Sequence, residues 1–151
     1  MSGRGAPPDW LSRRSPRGWI DASLAELSRA RSAFASGDAR AGTVATKRAA
    51  GMALNAVLIL FPDERWGRTY VEHVVAAAAD AALPAEVRLA AGVVAGATPP
   101  GGPLVALRSR ASDERTLEAA RTVMAFALRV VMESEEGDEG DEGAPSGSAG
   151  P

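Results

Sequence analysis

The chain is predicted to be all-α, a bundle of about five helices with a disordered acidic C-terminal tail, and three observations lead there. Alanine is abundant while aromatic residues make up only 5% of the 151, so the core has to form from close helix contacts with few large side chains. Ala is the best helix former, and Val, Ile and Tyr are too sparse to supply a sheet. Apolar residues also recur at helical spacing in several windows, each bounded by the Ser, Asp, Pro or Gly that starts or ends a helix. A chain of this length fits one domain. Residues 1–15 read as a flexible leader, 16–134 as the bundle, and 135–151 as an acidic tail of Glu, Asp, Gly, Ser and Pro that buries too little apolar area to fold.

The first helix starts with Ser15 as cap and Pro16 at its first position, or later at Asp21, and runs to Ser36. Ile20, Leu24, Leu27 and Phe34 share its apolar stripe. Gly37 ends it, and Asp38 caps a second helix from about Ala39 to Phe61, which Pro62 stops. Ala45, Ala49, Met52, Ala56 and Leu60 make its stripe, and Gly42 and Gly51 admit a neighbouring backbone, so this is the expected central helix. Asp63 caps a third helix from about Arg65 to Ala82, with Val71, Val74, Val75 and Ala78 inward. Pro84 opens a short fourth helix carrying Val87, Ala91 and Val94. The Pro- and Gly-rich stretch from Thr98 to Ala111 is the one long loop, and Ser112 caps a last helix with Leu117, Ala120, Met124, Ala127 or Leu128, and Val131 inward. Asp113 and Glu114 at its start and Arg129 near its end suit the helix dipole.

Composition removes several function classes. Without cysteine there is no disulfide, thiolate metal site or thiol catalysis. No apolar run reaches the roughly 18 residues of a membrane span, and the polar start lacks a secretory core, so the expected location is cytoplasmic, away from membranes. The net charge of -2 is unevenly spread: seven acids and no base stand from Glu133 onward, leaving 12 acids and 17 bases before them. That mildly basic body permits an anionic ligand without demanding one.

Candidate chemistry is sparse. His73 is the only histidine, and Arg68 precedes it with four residues between. An Arg that stabilises phosphorane-like charge and a His that moves a proton suffice to cleave RNA without metal. On a regular helix, however, positions five apart diverge by roughly 140°. The competing structural role pairs Arg68 with Glu72 at i, i+4 on the surface and leaves His73 half exposed near Tyr70. Arg108, Arg110 and Arg115, in the long loop and the start of the last helix, are the candidate phosphate ligands, against a plain reading as solvated charge. There is no second His for a metal site and no P-loop, so no metal and no cofactor are expected.

The order of elements carries further information. A helix in "DASLAELSRARSAFASGDARAG" turns at Gly-Asp into the Ala-rich "ATKRAAGMALNAVLI". There follow "YVEHVVAAAADAAL" with its early His, the short "PAEVRLAAGVV", a loop, and "DERTLEAARTVMAFALRVV". Over about residues 19–132 this resembles the HEPN superfamily of bacterial and archaeal helical bundles. The resemblance implies a homodimer that is either a nucleotide- or RNA-binding module, often with a nucleotidyltransferase or other protein partner, or a metal-independent RNase using an Arg-x4-6-His motif. Arg68 and His73 match that motif's spacing. In nuclease members the motif comes later in the bundle, and a polar amide commonly follows its Arg where this chain has Thr69. The expectation is therefore a non-catalytic HEPN-like module binding a nucleotide, RNA or a partner protein. Its alternatives are an RNase and an unrelated helical adaptor.

Overall fold

The computed structural model describes residues 7–97 and 110–143, with side chains of the last helix through Asp138. Every regular element among them is helical: α1 (Asp9–Ser12), α2 (Pro16–Ala35), α3 (Ala39–Leu60), a 3-10 turn (Glu64–Trp66), α4 (Tyr70–Ala79), α5 (Ala85–Gly96) and α6 (Arg110–Gly143). α3 lies at the centre and packs on α2, α4, α5 and α6.

The start of α2 follows the sequence reading. The Ser15 hydroxyl accepts from the Gly18 N–H at 2.9 Å, and Pro16 sits in the first turn. At its end Gly37 takes a positive φ of 87°, with Asp38 N–H donating to Ala33 O and Gly37 N–H to Phe34 O, the paired bonds of a Schellman turn. Asp38 then caps α3 by accepting from Ala41 N–H at 3.0 Å. The inward face of α2 differs from the expected stripe. Leu24 is 54% exposed and Ser23 is buried, its hydroxyl donating to Ala49 O on α3 at 2.9 Å. A small side chain that satisfies its own hydroxyl on the neighbouring backbone lets the two helices approach closely, and the bulkier Leu24 turns outward.

α3 is buried on all sides from Ala49 to Leu58. Half of its residues there are Ala or Gly, so four helices can surround it. Met52 is buried as expected, whereas Leu60 is half buried at the helix end. Thr43 and Thr46 donate their hydroxyls to Ala39 O and Gly42 O, one turn back, which satisfies two buried polar groups locally.

The expected third helix is two pieces. Asp63 does cap at its start, accepting from Arg65 N–H, but only a single 3-10 turn follows before Gly67 adopts φ 73°. The chain restarts at Thr69, whose hydroxyl accepts from Glu72 N–H while Glu72 Oε1 accepts from Thr69 N–H, both at 3.1 Å. This capping box sets the phase of α4, and the phase puts His73, Val74 and Ala77 inward. Val71 and Val75, expected in the core, are 48% and 52% exposed. On α5, Val87, Ala91 and Val94 are buried as expected. α6 begins at Arg110, so Ser112 lies inside its first turn, its carbonyl accepting from Thr116 Oγ1, where the sequence reading had it as the cap. Leu117, Ala120, Met124, Ala127 and Val131 form its buried stripe.

Residues 9–12 were expected within a leader, yet they form α1, which buries Leu11 and receives a 2.7 Å hydrogen bond from the Trp19 indole N–H to Leu11 O. α6 runs through Gly143, and past Val131 none of its described side chains is buried. Glu135 there pairs with Arg17 through two 2.9 Å bonds at the surface, so the acidic segment adds charge contacts without adding core. No helix among the described residues is long and apolar enough to cross a membrane.

Candidate functional site

The α3–α4 junction is packed backbone to backbone. Gly51 on α3 faces the first residue of α4 so closely that a Cβ there would lie 2.4 Å from Tyr70 Cβ and 2.6 Å from its Cα. That contact seats Tyr70, Thr69 and Arg68 over the middle of α3, beside Asn55, which is one turn beyond Gly51 on the same face. From the other side, the Trp19–Leu11 hydrogen bond ties α1 down and brings Trp10 onto the His73 ring, stacked at 5.8 Å between centroids with 19° between planes.

His73 is thus not the half-exposed residue expected from the sequence. It is fully buried, with Nδ1 2.8 Å from Trp66 O. A carbonyl only accepts, so Nδ1 carries the proton and Nε2 is left as a bare lone pair in the neutral ring. Burial pushes the imidazole below the ordinary histidine range, against the smaller opposing pulls of the Trp66 carbonyl and Glu72. The sign of the pH dependence follows. The unfolded chain takes up a proton near pH 6.5 that the folded chain resists, so stability is full above that pH and falls as pH drops toward 5. His73 is the sole histidine. The lowered carboxylates, Asp63, Glu72 and Glu135, act only below about pH 4.5. Urea melts at two pH values either side of 6 should therefore show lower stability on the acid side. Equal stabilities would place the imidazole in solvent.

Arg68 and His73 do not form a shared site. The Arg68 side chain is exposed while His73 is covered by Trp10. The expected Arg68–Glu72 surface pair is also replaced: Glu72 accepts from the backbone N–H groups of Arg68 and Thr69, at 3.3 and 3.1 Å, and serves the helix cap. Arg68 instead stands between two cavities that share Trp10 as a wall. One, of about 350 Å³, also carries the carboxylates of Asp63 and Glu64. The other, of about 490 Å³, is walled by Trp10, Trp19 and Tyr70, carries Arg13 and Arg68 at its edge, and has Asn55 and Thr69 as its remaining lining. Among the described residues no carboxylate lines it. Arg13 is held there by a 3.2 Å bond from its Nε to Trp10 O, and Arg14 stacks over Trp19 at 5.3 Å. Asn55 is 1% exposed, and both atoms of its amide are buried without a hydrogen-bond partner among the described residues.

The second group of candidate ligands is divided. Arg108 lies outside the described residues. Arg110 lines a cavity with Arg31 and Arg121, but Asp113 and Glu114 share it, and Arg121 is already bonded to Glu118 at 2.8 Å. Arg115 is exposed and does not line that cavity. No group of three or more His, Asp or Glu residues able to hold a metal occurs among the described residues.

Trp10, Arg13, Trp19 and Asn55 were not singled out from the sequence. Trp10 and Arg13 fall in the stretch taken as leader, although Pro8-Asp9 followed by Trp10-Leu11 carries the signal of a short helix start with an apolar anchor. Asn55 is a single polar residue inside an apolar run, with no motif around it to mark it. No family model, curated protein or solved structure matches the chain.

Proposed function

We propose that this chain is a non-catalytic helical bundle that binds a nucleotide unit, free or within single-stranded RNA, in the cleft between α1, α3 and the start of α4. The observation that carries this reading is the lining: three aromatic walls and two arginines with no opposing carboxylate. Stacking on aromatic side chains and Arg contacts to phosphate are the usual means of holding an unpaired nucleotide. This is the binding branch of the HEPN-like reading. It is favoured over an RNase because a general acid or base must reach the proton it moves. His73 has one nitrogen on a backbone carbonyl, the other buried, and an indole across its face.

A partner protein is the second reading, and one observation favours it. Val71 and Val75 on α4 and Leu89 and Val93 on α5 are exposed apolar residues on two helices packed against each other. A homodimer or a nucleotidyltransferase would be candidates for that face.

Tryptophan fluorescence titrations with nucleoside monophosphates and with a short single-stranded RNA test the cleft. Binding should weaken as salt rises, and Arg68→Ala and Arg13→Ala should weaken every base alike, each lowering the salt slope by about 1. RNA incubated with chelator should stay intact. Cleavage that disappears in both Arg68→Ala and His73→Ala would overturn the non-catalytic reading, and absence of any binding would remove the cleft.

A further inference from the structure

We infer that protonation of His73 lifts α1 off the bundle and so takes the cleft apart, a latch that acid opens. The effect on nucleotide rests on the reading of the cleft as a nucleotide site, whereas the movement of α1 does not. This short helix has few anchors. Trp10 stacks on the His73 ring, Leu11 is buried, and Leu11 O accepts from the Trp19 indole N–H at 2.7 Å. Among the described residues, the backbone of α1 approaches no helix but α3. A segment held so sparsely opens locally, with less loss than unfolding the core. Trp10 walls both cavities and Arg13 ends α1, so the cleft exists only while α1 is down.

Protons bear on this latch through the ring that Trp10 covers. His73 Nδ1 donates to Trp66 O, and Nε2 is buried with no hydrogen-bond partner among the described residues. A proton added at Nε2 makes a buried cationic donor with nothing to accept it, which is far less favourable than the neutral ring. The indole face attracts a cation, but more weakly than the water that burial removes. Lifting Trp10 bares the stacked face of the imidazole and hydrates the charge. The surrounding ions do not offset this. Glu72 favours the imidazolium, and its pull is smaller than the effect of burial. Asp80, at the far end of α4, is engaged by the Trp66 indole. α1 carries Asp9 with Arg13 at its end, the turn region carries Asp63, Glu64, Arg65 and Arg68, and α5 carries Glu86 and Arg88, so each presents both signs equally. α3 has no charged residue from Ala49 to Leu60. The open form titrates near about pH 6.5. Opening therefore has its midpoint below that value, and α1 stays latched at neutral pH.

The test follows the full chain by NMR from about pH 7.5 to about pH 5. The Trp19 indole N–H should lose its protection from solvent exchange and the Trp10 signal should shift, both at the midpoint of the His73 ring. The Trp66 N–H on Asp80 and the amides of α3 should stay protected. A short single-stranded RNA, whose phosphodiesters do not titrate here, should bind about tenfold more weakly for each pH unit below that midpoint. His73→Phe keeps an aromatic ring under Trp10 and should remove both responses, and the wild-type titration decides even where that variant fails to fold. A ring that titrates while Trp10 and Trp19 stay fixed, a midpoint at or above about 6.5, or loss of all signals together would overturn the latch. RNA affinity indifferent to pH while α1 lifts would overturn its link to the cleft. Lifting of α1 with no RNA bound at any pH would uphold the latch and remove the nucleotide reading.

Discussion

Replacing His73 by alanine is expected to destabilise the protein by about 3 kcal/mol, within the range for truncating a large buried side chain. Three losses combine. The ring is fully buried, so its removal leaves a cavity beside Trp10 unless the neighbours collapse. The Trp66 carbonyl loses its 2.8 Å partner at the turn that precedes α4. Trp10 loses the surface on which it stacks, and with it part of the hold on α1. Urea unfolding of the variant should give a lower midpoint with an unchanged slope, and its stability should no longer fall between pH 7 and 5. A change within error would mean that the imidazole is a surface group, as the pairing of Arg68 with Glu72 on a regular helix would leave it. The distinction matters for function. In a nuclease, loss of His73 abolishes cleavage in a folded protein, whereas here it acts on the fold.

Gly51→Val should be as damaging, through excess volume in place of lost volume. The first carbon of any side chain at position 51 would overlap the Cβ and Cα of Tyr70, and a backbone atom cannot swing aside as a side chain does. The start of α4 must move as a unit, at a cost of about 1–3 kcal/mol or more for a branched residue. Because Tyr70 and Thr69 line the cleft, nucleotide binding should fall with stability. Gly92→Ala is the control. Nothing lies within 4 Å of a Cβ at Gly92, in the exposed interior of α5, and that substitution should stabilise by about 0.5–1 kcal/mol. Equal effects at the two glycines would show that α3 and α4 are not in contact as described.

Local chemistry made much of the fold legible in the sequence. Ser15-Pro16, Gly37-Asp38 and Pro84 each mark a helix boundary through their own backbone preferences, and the small residues of α3 identify the element that others surround. The misplaced faces share one cause, a polar residue that found a partner. Ser23 bonds to Ala49 O and takes the inward position in place of Leu24. His73 bonds to Trp66 O and fills the inward position in the phase that the Thr69–Glu72 capping box sets, and Val71 and Val75 turn outward with it. Neither partner is visible in a pattern that counts only apolar residues. The break at Gly67 was marked by Thr69 and Glu72, a capping box three residues apart just ahead of an apolar run. The candidate site was less legible because it joins residues far apart in the chain. Trp10 meets His73 across 63 positions, and Asn55 meets the cleft only because Gly51, one turn earlier, lets α4 approach.

The most direct test of the cleft follows the three tryptophan indole N–H signals by NMR while adenosine monophosphate is added to the full chain. Trp10 and Trp19 wall the cleft, whereas the Trp66 N–H is engaged with Asp80 at 3.2 Å outside it. The Trp10 signal should move most, with the backbone signals of Arg68, Thr69 and Tyr70 shifting alongside it and Trp66 staying in place. A titration in which the indoles stay fixed while the signals of Arg110, Arg115 and their neighbours in the first turns of α6 shift would contradict the cleft and put the anion at the other end of the bundle.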